Sequence, residues 1–269
     1  MIRLEASTAL VTGASRGIGR GIVLKLAECG VRRIAINYLE NEAAARDTAR
    51  QLEERGAEPL LLPGDIGKPA EIRRLFAEVG KQWGELGIFV HNARPSPALF
   101  YQPPGDITEA GLRAAFETQA LAMTLGCQEC AKLMGAGGRI LGITYATGAR
   151  TGSWQPWIAM GGAKAFMEST VRYFAIALAK RGITVNCVSP GVTDDSVFNT
   201  LPEPVYRAVK EWSESGWSPA GRMGTPEDAA NVVALLCTPE ASWVTGQTVY
   251  ADGGGSLMNA DFSLPIQGL

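Results

Sequence analysis

"TGASRGIG", residues 12–19, is the stretch from which the rest of the chain can be read. It follows a short apolar run, "STALVT" (7–12), and leads directly into "GRGIVLKLAECG" (19–30), whose apolar residues recur at helical spacing. Glycines at 13, 17 and 19 allow a sharp turn and a close backbone approach, because no Cβ stands in the way. A strand that ends in such a turn and restarts as a helix aims free N–H groups at one point. That point suits a phosphate, and the glycine spacing after a first strand suits the pyrophosphate of a dinucleotide.

The pattern outside this loop agrees. Strand-length apolar runs follow at "RIAIN" (33–37), "PLLLP" (59–63), "LGIFVHNA" (86–93), "GRILGIT" (138–144), "ITVNCVSPG" (183–191) and "TVYADGG" (248–254). Longer segments of helical period separate them, among them "ENEAAARDTARQLEERG", "PAEIRRLFAEVGKQWG", "TEAGLRAAFETQALAMTLGCQECAKLM", "AKAFMESTVRYFAIALAKRG" and "PEDAANVVALLCT". The strands are too uniformly apolar for a sheet with one wet face, so helices are expected on both sides. Strand and helix alternating this often predict an α/β fold: a single doubly wound parallel sheet of Rossmann type. No linker or repeat interrupts residues 1–269, which read as one domain.

Composition narrows the function classes. A formal net charge of −2 offers no basic field for nucleic acid. The five cysteines are odd in number and scattered, which argues against a disulfide framework. Cys127 and Cys130 form a C-x-x-C, but inside a helical pattern and without a second pair, so packing is preferred to metal binding. "MIRLEASTALVTGAS" enters a strand almost at once without a signal-peptide pattern, and no apolar run reaches spanning length. A cytoplasmic location, away from membranes, is expected.

Several motifs at their spacings resemble the short-chain dehydrogenase/reductase superfamily, nearly end to end. "TGASRGIG" is similar to its cofactor loop, Asp65-Ile66 to its adenine-contacting pair, and "HNA" (91–93) to its Asn-Asn-Ala-Gly, with Arg94 in place of glycine. "VNCVSPG" (185–191), "PAGRMGTPED" (219–228) and "TGQTVYADGG" (245–254) match its C-terminal signatures. The resemblance implies a nicotinamide cofactor held by Gly13, Ser15, Arg16, Gly17, Ile18 and Gly19, and by Asn37, Asp65 and Ile66. Further contacts are implied at Asn92, Ala93, Thr144, Lys164, Pro190, Gly191 and Thr193.

The chain departs from the superfamily's catalytic set. The usual Ser aligns with Tyr145, the usual Asn with Gln119, and the usual Tyr with Met160; Lys164 remains. Reducing a ketone generates an alkoxide, a strong base that needs a positioned acid, and a thioether donates no proton. Hydride addition to the β-carbon of an α,β-unsaturated thioester instead places charge on the thioester oxygen as an enolate. A well-placed hydrogen-bond donor stabilises this weaker base.

"WIAMGGAKA" (157–165) resembles the enoyl-acyl-carrier-protein reductase branch of the superfamily, in its ketoreductase-like type. In that branch a Tyr stands seven residues before the Lys, with Met between. Trp157 occupies that position here, Met160 is kept, and Tyr145 matches a second Tyr that the branch often carries after the fifth strand. Tyr145 is the candidate donor, with a wall residue against the nicotinamide as its alternative. Trp157 is an N–H donor or a wall of an acyl pocket, and Met160 packs on substrate or cofactor. Lys164 holds the nicotinamide ribose and biases the field toward negative charge. His91, the single histidine, is read as lining the cofactor groove at a strand end, and Arg94 as meeting cofactor, an acidic substrate group, or solvent.

Asn37-Tyr38 ends the second strand, followed by Leu39, Glu40 and Glu42, so apart from Arg16 little favours a 2′-phosphate. This reading points to NADH, with NADPH as the alternative. Residues 194–218 are expected to form a lid whose Phe198, Leu201, Val205, Tyr206, Trp212 and Trp217 present an apolar inner face to an acyl chain. Phe198 and Tyr206 join Arg94 and Met160 in the substrate pocket. The tail 257–269 is apolar enough to pack on its own or a neighbouring subunit, and a homotetramer is expected from the resemblance. Three readings follow: reduction of an enoyl thioester carried by acyl carrier protein in fatty acid synthesis, oxidoreduction of another substrate, or cofactor binding without catalysis.

Overall fold

The computed structural model describes residues 2–100, 102–145, 157–195 and 203–257. Among the described residues seven strands form one sheet: β1 (Thr8–Val11), β2 (Arg33–Tyr38), β3 (Glu58–Pro63), β4 (Ile88–His91), β5 (Arg139–Ile143), β6 (Thr184–Pro190) and β7 (Thr248–Ala251). Their order is β3-β2-β1-β4-β5-β6-β7, and every neighbouring pair is parallel. All seven apolar runs read from the sequence are strands. β1, β4, β5 and β6 are buried at every residue, because both faces of the sheet are covered.

On one face α1 (Gly17–Glu28) and α2 (Glu42–Glu53) bury Ile22, Val23, Leu26 and Leu52 against Ile34, Ile36 and Val90. On the other, α3 (Pro69–Trp83) packs Leu75, Phe76 and Val79 against Leu10 and Phe89. A four-residue turn of helix, α4 (Pro97–Phe100), precedes α5 (Glu109–Ala115) and α6 (Ala122–Leu133). The 108–134 segment, which reads as one helix, is broken between α5 and α6 by a π turn at Phe116–Leu121. The long helix α7 (Ile158–Leu178) then packs on β6, α8 (Glu203–Trp212) follows, and α9 (Pro226–Leu236) lies along α1. The approach of α9 to α1 is tight: a Cβ on Gly21 would lie 3.0 Å from Pro226. Thr225 and Asp228 close a capping box at the start of α9.

The strand order reverses between β1 and β4, so a crevice opens at the C-terminal ends of these strands. The loops after β1 and β4 meet there. Cys127 and Cys130 are buried on α6 with their thiols pushed up by burial. No helix among the described residues is long and apolar enough to cross a membrane.

Candidate active site

The loop after β1 is held by long-range hydrogen bonds. The Thr12 hydroxyl accepts from the backbone N–H of Asn92 (2.9 Å) and of Ala93 (3.1 Å), tying it to the end of β4. The Asn92 amide donates to the Thr12 and Gly13 carbonyls at 3.0 and 3.1 Å. Gly13 has φ +63°, and a Cβ there would lie 2.8 Å from Ala93 Cα. A Cβ on Gly19 would come within 2.3 Å of the Gly13 carbonyl. Glycine is therefore required at both positions by contact distance.

Asn37 is turned inward rather than toward the groove. Its carboxamide accepts from Gly13 N at 3.3 Å and donates to the Leu62 and Gly64 carbonyls, and the residue is buried. The expected cofactor contact at Asn37 is thus a strut beneath the loop. Arg20 and Thr48, which the sequence reading passed over, both donate to the Ser15 carbonyl. A cation in the first turn of α1, directly after the glycine loop, was the available signal.

Arg16 is the N-cap residue of α1, is exposed, and makes no side-chain capping hydrogen bond. Asp65 accepts from Gly67 N at 2.9 Å, while Ile66 is buried in the core beside it. Glu42 is held by Arg46 across one helical turn at 2.5 Å, so this carboxylate is already paired. At the end of β6, Gly191 lies so near Asp252 that a Cβ would be 2.9 Å from its Cα. Thr193 caps that corner by donating to the Gly191 carbonyl.

Lys164 is buried on α7 and donates to the Ile143 carbonyl. Burial pulls its pKa down to about 8, against the carboxylate of Glu168 and with Arg94 acting in the same direction as burial. The Thr144 hydroxyl donates to Glu168 Oε1 at 2.5 Å, so its side chain faces α7, which leaves the backbone of Thr144 for the expected cofactor contact. Helix α7 thereby holds both residues at the end of β5, immediately before Tyr145.

Tyr145 and Trp157 come together with ring centroids 4.9 Å apart, and Phe100 meets Trp157 edge-on at 5.7 Å. Met160 is buried in the same cluster with Phe100, Ala115, Ala159 and Ala163. A buried apolar cluster therefore forms where the superfamily resemblance places a proton donor. Arg94 closes its edge, with its guanidinium 6.0 Å from the Phe100 ring centroid.

His91 departs from its expected place lining the groove: it is fully buried beneath it. Its Nδ1 lies 3.4 Å from the Thr12 hydroxyl, which has already accepted two N–H groups and so donates its own proton; the ring proton is then on Nε2. Burial first, and the charge of Lys164 second, lower its pKa to about 3. The Gln119 amide donates to the Ala93 carbonyl at 3.0 Å from within the π turn.

The expected lid is helical over α8, but none of its residues is buried; Pro204, Val205, Ala208, Val209 and Trp212 line an open groove. Trp212 at the end of α8 stacks on Trp217 in the following turn, at 3.8 Å. The Tyr206 hydroxyl donates to Asp194 Oδ2 at 3.0 Å, which pins the helix to the end of the β6 loop. Phe198 and Leu201 lie outside the described residues, as do all tail positions beyond Leu257.

The cradle fits a dinucleotide. Gly13 and Gly19 let the loop close tightly on Ala93 and Asn92, and α1 begins without a side-chain cap to occupy its first N–H groups. A family model described as enoyl-(acyl carrier protein) reductase matches residues 13–256. The chain belongs to the short-chain dehydrogenase/reductase superfamily. Among its relatives, 1-cyclohexenylcarbonyl-CoA reductase of Streptomyces collinus is 34% identical, over 94% of this chain and 88% of that protein. A hydroxynaphthalene reductase-like protein of Metarhizium brunneum is 31% identical, over 93% and 95%.

Solved superfamily structures superimpose closely. The promiscuous reductase LugOII, which catalyses keto-reduction at C1 in lugdunomycin biosynthesis, gives a TM-score of 0.84 at 34% identity, covering 94% of this chain and 99% of that one. The angucycline C-6 ketoreductase LanV, with bound NADP, gives 0.83 at 30% identity, covering 94% and 96%. This chain is therefore an NAD(P)-dependent reductase of the superfamily. The expected preference for NADH gains no support from these structures, one of which holds NADP.

Proposed function

We propose that the protein reduces the carbon–carbon double bond of a 2-enoyl thioester, using NADPH. The observation that carries this reading is Met160. The residue one turn before Lys164 is buried among Phe100, Ala159 and Ala163, and it has no proton to give. Chemistry ending in an alkoxide is poorly served there, whereas an enolate needs only a hydrogen-bond donor at the thioester oxygen. Tyr145 is the phenol assigned to that role, at the end of β5 and against Trp157. The relative from Streptomyces collinus supports the reading, because its name describes a CoA thioester whose double bond is conjugated with the carbonyl.

When bound, the nicotinamide supplies the hydride. Lys164 contributes a buried ammonium near the forming negative charge, and its contact with Ile143 fixes the strand end that carries Tyr145. Trp157, Phe100 and Met160 exclude water from the reacting carbons. The choice of NADPH rests on the exposed Arg16 at the mouth of the loop and on Asn37, whose carboxamide is occupied and which carries no charge to repel a 2′-phosphate. NADH is the alternative cofactor.

Reduction of a ketone is the second reading, favoured by the keto-reducing LugOII at comparable identity. One assay separates the two: NADPH and NADH oxidation with crotonyl thioesters on acyl carrier protein and on CoA, and with acetoacetyl thioester. Turnover of the enoyl substrates supports the proposal, and turnover of the ketone alone overturns it. Binding of cofactor with no turnover of either favours a non-catalytic role. The two carriers also test the place in fatty acid synthesis that the sequence suggests. Self-association as a homotetramer, in a reducing cytoplasm, completes the proposal. It is supported by exposed Phe166, Tyr173 and Ile176 on α7, by Phe116 packed at 5.2 Å on Phe166, and by five free buried cysteines. Sedimentation at micromolar concentration tests the oligomer.

A further inference from the structure

Helix α7 grips the end of β5 at two consecutive residues, with groups of opposite charge. Lys164 donates to the Ile143 carbonyl, and one helical turn later Glu168 Oε1 accepts from the Thr144 hydroxyl at 2.5 Å. The next residue along the strand is Tyr145. An O–H···O contact this short falls in the range of bonds to an ionised carboxylate, about 2.5–2.7 Å. Glu168 lies on the buried face of α7, which otherwise carries Met160, Ala163, Met167 and Val171.

A carboxylate loses hydration on such a face, and one hydroxyl donor serves only one of its two oxygens. An apolar side chain of similar size would hold the helix against the sheet at least as well. What Glu168 adds is a fixed acceptor for Thr144 and a negative charge one turn beyond Lys164, at a spacing that puts Cβ atoms about 5–6 Å apart on one helix face. The groups that face Lys164 from neighbouring elements supply no such charge. His91 on β4 is neutral, with its pKa lowered to about 3, and the Cys187 thiol on β6 is pushed up to about 12. Arg94, in the loop after β4, is itself a cation. Without Glu168, burial and Arg94 would act together to discharge the lysine.

We propose that Glu168 is a positioning residue for the reduction: it anchors Thr144, which fixes the strand end that presents Tyr145, and it supplies the negative charge that faces the Lys164 ammonium. It acts through these two neighbours and not on the substrate. The proposal rests on the thioester reading above for the reaction it serves, whereas the two-point grip on β5 is a matter of geometry.

The test compares full-length Glu168→Gln, Glu168→Asp and Thr144→Val with the parent protein. Gln keeps the volume and an oxygen acceptor but removes the charge, Asp keeps the charge but falls short of Thr144, and Val removes only the hydroxyl. Two quantities are read: the pH profile of kcat/KM for crotonyl thioester, and the NMR titration of the Lys164 ε-carbon in lysine-labelled protein, assigned by its loss in Lys164→Met. Glu168→Gln is expected to move the midpoint of both from about 8 downward by about one pH unit. Thr144→Val and Glu168→Asp are expected to keep the midpoint and to lower kcat about tenfold, with KM within about twofold. A Glu168→Gln midpoint within about 0.3 unit of the parent overturns the proposal, as does parental kcat in Thr144→Val or a loss confined to KM. If Glu168→Gln does not fold, the other two variants decide, since a merely structural role would not give them the same loss in kcat. If no enoyl thioester turns over at all, the functional reading fails by itself, and the NMR titration still decides whether Glu168 holds the charge of Lys164.

Discussion

Tyr145 at the end of β5 and Trp157 at the start of α7 face one another at 4.9 Å between ring centroids. Two segments twelve residues apart in the chain are thus brought to one wall of the site, one contributing a phenol and the other an indole. On this arrangement Tyr145→Phe keeps the aromatic contact and removes only the hydroxyl. Its expected effect is a fall in kcat of about 100-fold on crotonyl thioester, with NADPH affinity within a factor of two or so. Steady-state kinetics with a parallel cofactor titration checks it, and unchanged kcat would dismiss Tyr145 as the donor.

Met160→Tyr places a phenol one helical turn before Lys164. Acetoacetyl thioester reduction is expected to rise at least about tenfold over the parent protein, because the missing acid is supplied next to a cation that lowers its pKa. The larger ring enters a buried cluster, so a stability loss of about 1–3 kcal/mol accompanies the gain. Product analysis for the 3-hydroxyacyl ester is the decisive measurement.

Lys164 has a pKa lowered to about 8 by burial, so the free protein carries this charge below that pH and loses it above. If the ammonium is required, kcat/KM falls as pH rises through about 8, by about tenfold per unit once the neutral form dominates. Lys164→Met is expected to abolish both activity and the inflection. A flat profile from pH 7 to 9 in the parent protein contradicts the role.

His91 is held neutral in the fold, with a pKa near 3, whereas an exposed histidine titrates near 6.5. Between these values the unfolded chain binds the extra proton, so stability rises with pH across that window and is lost on acidification. From pH 6.5 down to 5 the single group accounts for about 2 kcal/mol. His91→Asn is expected to be less stable at pH 7 but to show a shallower loss in acid, measured by urea unfolding at a series of pH values.

The central strands were legible because each is a short, uniformly apolar run, a pattern that burial on both faces imposes. The phosphate loop was legible for a different reason: its glycines answer contacts with Ala93 and Asn92 that no other residue permits. What remained hidden was set by partners far away in sequence. Asn37 looked like a groove residue until its carboxamide proved to be used by Gly13, Leu62 and Gly64. Thr144 could be placed at a cofactor contact, but not the carboxylate 24 residues later, on Glu168, that claims its hydroxyl. The amphipathic pattern of 203–212 was real, but an apolar stripe alone does not say which surface it meets.

The π turn at Phe116–Leu121 carries a consequence for how this helix tolerates change. Each residue of an α-helix advances the side chains by about 100°, so one extra residue in a turn shifts everything after it out of phase with everything before. Upstream, Ala115 belongs to the Phe100–Met160 cluster; downstream, Met123, Cys127 and Cys130 belong to the core beneath the sheet. The two halves thus answer to different neighbours through a single offset. Deleting one residue between Glu117 and Gln119 would leave a smoother helix by local propensity and a worse protein, since only one half at a time could keep its register.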